Sequence, residues 1–127
     1  QLIIQQILNF PYATLTGAKV SCTSPFEGEG LRKLFPNAPE ELLFTSNASD
    51  AFEKAQVIID FTSPEALQTH LEIAQQKGIG LVIGTTGLTK EQFQVLEKAS
   101  VNIPILYAAN FSLGINLLQE MVKEASK

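Results

Sequence analysis

The chain has 127 residues, with one cysteine (Cys22), one histidine (His70) and no tryptophan. A lone thiol excludes an internal disulfide, and without a Cys/His cluster no zinc or other metal site is expected. Charge is also scarce. Only 17% of residues are charged, against roughly 25% in soluble domains at large, while 45% are hydrophobic. That balance excludes global disorder and favours a buried core. Nine Lys and Arg against 13 Asp and Glu give a net charge of −4, which leaves no basic footprint for a phosphate backbone, so nucleic acid is not an expected partner. No stretch approaches the ~20 apolar residues of a membrane span. The opening QLIIQQIL lacks the basic region of a signal peptide. The expectation is a cytoplasmic protein with no membrane partner.

What is present is a repeated grammar. From the middle onward, an apolar run, a turn of Gly, Ser or Thr, and an amphipathic stretch follow one another three times. The first run is Val57 to Phe61. Ser63 stands as N-cap, Pro64 suits a first helical turn, and Gly78 closes a helix ending at Lys77. The second is Leu81 to Ile83, then Gly84-Thr85-Thr86-Gly87, with Thr89 and Gln92 spaced as a capping box for a helix reaching about Ser100. The third is Ile105 to Tyr107, then Ala108-Ala109-Asn110-Phe111, with Ser112 as N-cap of a helix over Leu113 to Ala125.

Strand starts at 57, 81 and 105 leave room for one helix per crossover, which parallel strands require. The strands are nearly all apolar, as when helices cover both faces. The fold class is therefore α/β, a Rossmann-like parallel sheet with helices on both faces. The first 56 residues are less regular: AKVSCT over 18 to 23 reads as a strand, Pro25 to Ser46 as mostly loop, and residues 1 to 9 as a helix with one apolar face. A doubly wound domain begins with a strand, so a chain opening inside a helix suggests that sequence precedes Gln1.

In such a sheet, ligands bind beyond the carboxyl ends of the strands. Three ends are readable: Asp60-Phe61-Thr62-Ser63, Gly84-Thr85-Thr86-Gly87 and Ala109-Asn110-Phe111-Ser112. They offer hydroxyls, amides and backbone donors beside positive helix ends, which suit a polar or anionic ligand. The glycines permit close backbone approach, and Phe61 and Phe111 could pack on a ring, so a nucleotide fits. Gly and Thr after a strand are also ordinary turn residues, and one such loop alone would carry little weight. Asp60 could be a base, but a strand-end Asp more often caps a neighbouring turn, and it is left unassigned. His70 lies seven residues past Ser63, about 10 Å down the helix at roughly 1.5 Å per residue, and is read as solvent-facing or packing rather than catalytic. Cys22 is read as a buried small hydrophobe rather than a nucleophile. No catalytic residue emerges.

The segments VIIDFTSPEA, GLVIGTTGLTKEQ and ILYAANFSLGINLL together strongly resemble the N-terminal domain of the dihydrodipicolinate (4-hydroxy-tetrahydrodipicolinate) reductase family. The resemblance covers residues 57 to 127 in order and spacing, and residues 1 to 56 only loosely. It implies a domain that binds NADH or NADPH in an oxidoreductase of the diaminopimelate route to lysine, with hydride passing to a small cyclic dicarboxylate. It implies cofactor contacts at Phe61, Thr62, Gly84, Thr85, Thr86, Ala108, Ala109, Asn110 and Phe111. A glycine-rich loop after a first strand would fall before Gln1. The substrate site and proton donor would lie in a C-terminal domain, which in the family also builds a homotetramer. The expected domain organisation is thus a partial dinucleotide-binding domain over 1–127, inactive by itself. Two rivals stand beside this reading: another Rossmann reductase, and a non-catalytic ligand-sensing α/β domain.

Overall fold

The computed structural model describes residues 2–112, 117–118 and 121–124. The chain divides into two compact units, Gln1–Gln56 and Val57–Lys127.

The first unit opens with α1 (Leu2–Asn9). Its Ile4, Ile7 and Leu8 pack on a cluster of Leu15, Ala18, Leu31, Ala38 and Phe44, the apolar face expected from the periodicity of residues 1 to 9. Strand β1 covers only Ala18–Lys19. The expected strand over 18 to 23 ends early because Ser21 turns the chain: its carbonyl accepts from Ser24 N–H at 2.9 Å, and its hydroxyl contacts that of Thr23 at 2.9 Å. Cys22 falls in this turn and is exposed, which corrects its assignment to the core. The stretch from Pro25 to Ser46 is not all loop. It holds a 3-10 turn at Leu31–Lys33 and a strand, β2 (Phe44–Thr45), which pairs in parallel with β1. A short helix, α2 (Ala48–Ala51), follows, capped by Asn47.

The second unit is a β-α-β-α-β run: β3 (Val57–Asp60), α3 (Pro64–Lys77), β4 (Gly80–Ile83), α4 (Lys90–Ala99) and β5 (Ile105–Tyr107). All three strands are parallel in the order β3-β4-β5. The helix punctuation acts as the sequence indicates. Gly78 takes a left-handed φ of 67°, and Ile79 N–H reaches back to the Ala74 carbonyl at 2.8 Å. Thr89 and Gln92 form the reciprocal capping box. Ser63 has extended N-cap backbone, but its hydroxyl does not bond the first-turn amides.

Side chains at Asp60, Ile83 and Tyr107 are register partners across the sheet and share one face. Both helices lie on that face: α3 through His70, which reaches Asp60, and α4 through Phe93, whose ring meets Tyr107 edge-on at 5.0 Å. The core there includes Ile58, Leu67, Leu71, Ala74, Leu81, Ile83, Leu96 and Ala99. On the opposite face, Val57, Ile59 and Leu106 retain 54%, 42% and 56% of their exposure. Right-handed crossovers laid along three strands in one direction put successive helices on one side.

Candidate functional site: the carboxyl ends of the parallel strands

Parallel pairing brings the last residues of β3, β4 and β5 to one edge, and the register joins Asp60 to Ile83 and Ile83 to Tyr107. Gly84 N–H donates to the Asp60 carbonyl at 2.8 Å and Ala108 N–H to the Ile83 carbonyl at 3.1 Å, carrying the ladder one step into each loop.

Phe61 and Phe111 meet at this edge with ring centroids 5.4 Å apart, and each keeps nearly half its surface, 48% and 44%. An exposed aromatic pair beside hydroxyls is a ready platform for a flat ring. Gly84 lies beneath it. A Cβ at that position would stand 2.2 Å from the Phe61 ring, so the absence of a side chain is what lets the ring sit there. Thr62, Thr86 and Ala109 are exposed, and Asn110 and Ala108 are half-buried. Asn110 Oδ1 accepts from Ser112 N–H at 2.8 Å, which fixes the turn after β5. The expected helix over Leu113 to Ala125 lies largely outside the described residues; residues 117–118 and 121–124 are helical.

Thr85 differs from its neighbours. It is buried, and its hydroxyl donates to Asp60 Oδ1 at 3.2 Å, so only its backbone can face a ligand. Asp60 caps the turn after its own strand, as expected of a strand-end Asp: Oδ1 also accepts from Thr62 N–H at 2.9 Å and Thr62 Oγ1 at 2.6 Å. Its other oxygen meets His70 Nδ1 at 2.6 Å. Burial alone would raise the Asp60 carboxyl. The hydrogen bonds from His70 and Thr62 outweigh it and hold the carboxyl below its ordinary value.

His70 is thus packing rather than solvent-facing, at 2% exposure. Its distance along the helix is real, but side chains on a helix lean toward the N-terminus, which carries the imidazole back to the strand end. The pair was readable in part. Leu67, His70, Leu71 and Ala74 form one buried helical stripe, and Ile58 with Asp60 share the inward parity of β3. No spacing rule shows that the two stripes face each other at Asp60.

The helix ends beside this edge already carry acids. A hydrogen bond with Ser63 and its own backbone N–H lower the Glu65 carboxyl, and its own backbone N–H with Thr89 lowers that of Glu91. Gln92 accepts from Thr89 N–H and donates to the Pro64 carbonyl, both at 2.9 Å, tying the start of α4 to the start of α3. Among the described residues no group of three or more His, Cys, Asp and Glu could hold a metal ion, and no helix is long and apolar enough to cross a membrane.

Comparison with known proteins gives this edge a context. Residues 1–111 match the family model described as dihydrodipicolinate reductase, N-terminus. A 4-hydroxy-tetrahydrodipicolinate reductase of Pseudoalteromonas atlantica is 36% identical over 127 residues, all of this chain and 48% of the relative. The enzyme of the same name from Polynucleobacter necessarius is 35% identical over all of this chain and 47% of its own. That of Rickettsia bellii reaches 48% identity over 79 residues, 62% of this chain and 32% of its own. The match extends through the first 56 residues, where the motifs resembled the family only loosely. The chain spans about half the length of these curated relatives. With an α/β fold built on parallel strands and a match over residues 1–111, the chain belongs to the dihydrodipicolinate reductase family, of which it carries the N-terminal part.

Proposed function

We propose that this chain is the NADH- or NADPH-binding part of an oxidoreductase that reduces 4-hydroxy-tetrahydrodipicolinate in the diaminopimelate route to lysine. The observation that carries the reading is the exposed Phe61–Phe111 ring pair over Gly84, at the shared carboxyl edge of three parallel strands, in a chain of this family. Those residues fit the group. A flat nicotinamide suits the two rings, and ribose hydroxyls suit Thr62, Thr86, Asn110 and the backbone of Gly84, Thr85, Ala108 and Ala109. Because Glu65 and Glu91 already occupy the helix starts, the edge favours the uncharged part of the dinucleotide over its phosphates. When bound, the dinucleotide supplies the hydride. The chain's own residues hold and orient it; substrate and proton donor belong to the rest of the protein, as does assembly into a homo-oligomer, a tetramer by family resemblance. A small cyclic dicarboxylate as substrate and a cytoplasmic location complete the proposal.

Chemical-shift mapping of the full-length protein with NADH tests it. Signals of Thr62, Gly84 to Thr86 and Asn110 should move. Movement on α3 around His70, with Gly84 to Thr86 unchanged, would refute the site. Nicotinamide oxidation dependent on 4-hydroxy-tetrahydrodipicolinate tests the reaction separately, and a full-length protein that binds NADH but shows none would leave the non-catalytic sensor.

A further inference from the structure

Asp60 and His70 take no direct part in the proposed cofactor contacts. Asp60 is 1% exposed and His70 2%, yet neither faces the edge where a ligand would lie. An ionised carboxylate can only accept, so all four of its contacts are donors: Thr62 N–H, Thr62 Oγ1, Thr85 Oγ1 and His70 Nδ1. Three come from two different strand ends and one from the helix between them. A single side chain therefore sets the turn after β3 and fastens the loop after β4 to it. The imidazole, buried on the inner face of α3, fixes the rotation of the carboxylate. The arrangement matches the way outer partners orient groups that touch a ligand.

We propose that Asp60, locked by His70, is a positioning residue that sets the spacing of the Thr62 and Thr85 strand ends. It touches no ligand itself. The proposal rests on the reading that these ends hold a dinucleotide, but its structural half can be measured without one.

The test uses the full-length protein with three variants of α3. His70→Leu removes the donor at similar volume. His70→Asn keeps an N–H near the place of Nδ1, and Leu71→Ala weakens the same stripe without touching the pair. In the ligand-free protein, His70→Leu should raise amide exchange at Thr62 about tenfold, against unchanged exchange at Ile58. It should weaken NADH binding, read by nicotinamide fluorescence, about tenfold. His70→Asn should restore both to within about twofold. Leu71→Ala should lower the melting temperature while leaving Thr62 exchange and NADH affinity near wild type. If His70→Leu does not fold, Asp60→Asn carries the same two expectations. Unchanged Thr62 exchange in His70→Leu, or equal effects from Leu71→Ala, would overturn the proposal and make the pair one more core contact. If the wild-type protein binds neither NADH nor NADPH, the dinucleotide reading fails. The exchange arm still decides whether the pair holds the strand ends.

Discussion

The two units of the chain bury comparable side chains by different means. In Val57–Lys127, strands and helices alternate among the described residues, α3 stops at the left-handed Gly78 and α4 starts at the Thr89 capping box, and the buried positions follow the periods of two and 3.6. In Gln1–Gln56, the strands β1 and β2 are two residues long, and turns run through most of the rest. Yet Leu31 in that unit is as inaccessible as Ile83 in the other, both at 0%. Regularity therefore makes a fold legible; it is not what makes it packed. A residue in an irregular segment is buried by whatever surrounds it, here Phe26 against Phe44 at 5.8 Å and α1 above them.

Several changes would break or sharpen this contrast. The largest effect is expected at Asp60, where the regular unit concentrates its polar bonds. Asp60→Ala removes the one carboxylate that accepts from His70 Nδ1, Thr62 and Thr85 and should cost about 3–5 kcal/mol in chemical denaturation. Because the folded carboxyl lies below its unfolded value, its contribution is present at neutral pH and lost as pH falls below about 4. Stability curves of wild type and Asp60→Asn should therefore converge in acid. Curves that stay parallel down to the acid transition would show that the carboxylate contributes no net stability.

Next is Leu31→Ala, expected to cost about 3 kcal/mol, close to Leu81→Ala in the regular unit, since both side chains are almost fully enclosed. A loss below about 1 kcal/mol at Leu31 alone would mean that the irregular unit is loosely packed after all.

Gly84→Ala should cost about 1–3 kcal/mol through overpacking, because the new methyl must push the Phe61 ring away. On the proposed function it should weaken NADH binding as well, by moving the ring off Phe111. A variant binding NADH like wild type would separate the ring pair from the site.

A Rossmann domain that prefers NAD usually places an acid after its second strand. In the first unit the turn after β1 runs through Ser21, Thr23 and Ser24 with neither an acid nor an Arg, and Glu27 accepts from Ser46 Oγ at 3.0 Å. Without a carboxylate to repel a 2'-phosphate or a guanidinium to hold one, the full-length protein, on the proposed function, should use NADH and NADPH within about tenfold, roughly 1.4 kcal/mol. A kcat/KM ratio beyond about a hundredfold would reveal a residue that reads the 2' position.

The smallest effect belongs to a cap. Thr89→Ala opens the capping box of α4 and should cost about 1 kcal/mol, seen in thermal melts, with no change in NADH affinity.

The sequence by itself determined the second unit: three strands, the two helices between them with their ends at Gly78 and Thr89, and a shared carboxyl edge bearing Phe61, Gly84 and Phe111. These follow from local propensity, capping and the reach of a crossover, all of which act within a few residues. Family motifs in the same segments supplied the cofactor class by resemblance. Tertiary structure decided what depends on residues distant in the chain. Phe44–Thr45 became a strand because Ala18–Lys19 lay beside it, and a two-residue pairing has no period to read. Cys22 went to solvent because Ser21 and Ser24 turned the chain first. Asp60 found His70, ten residues on, and Thr85, twenty-five residues on, because packing α3 on the sheet desolvated the carboxylate and left these donors to satisfy it.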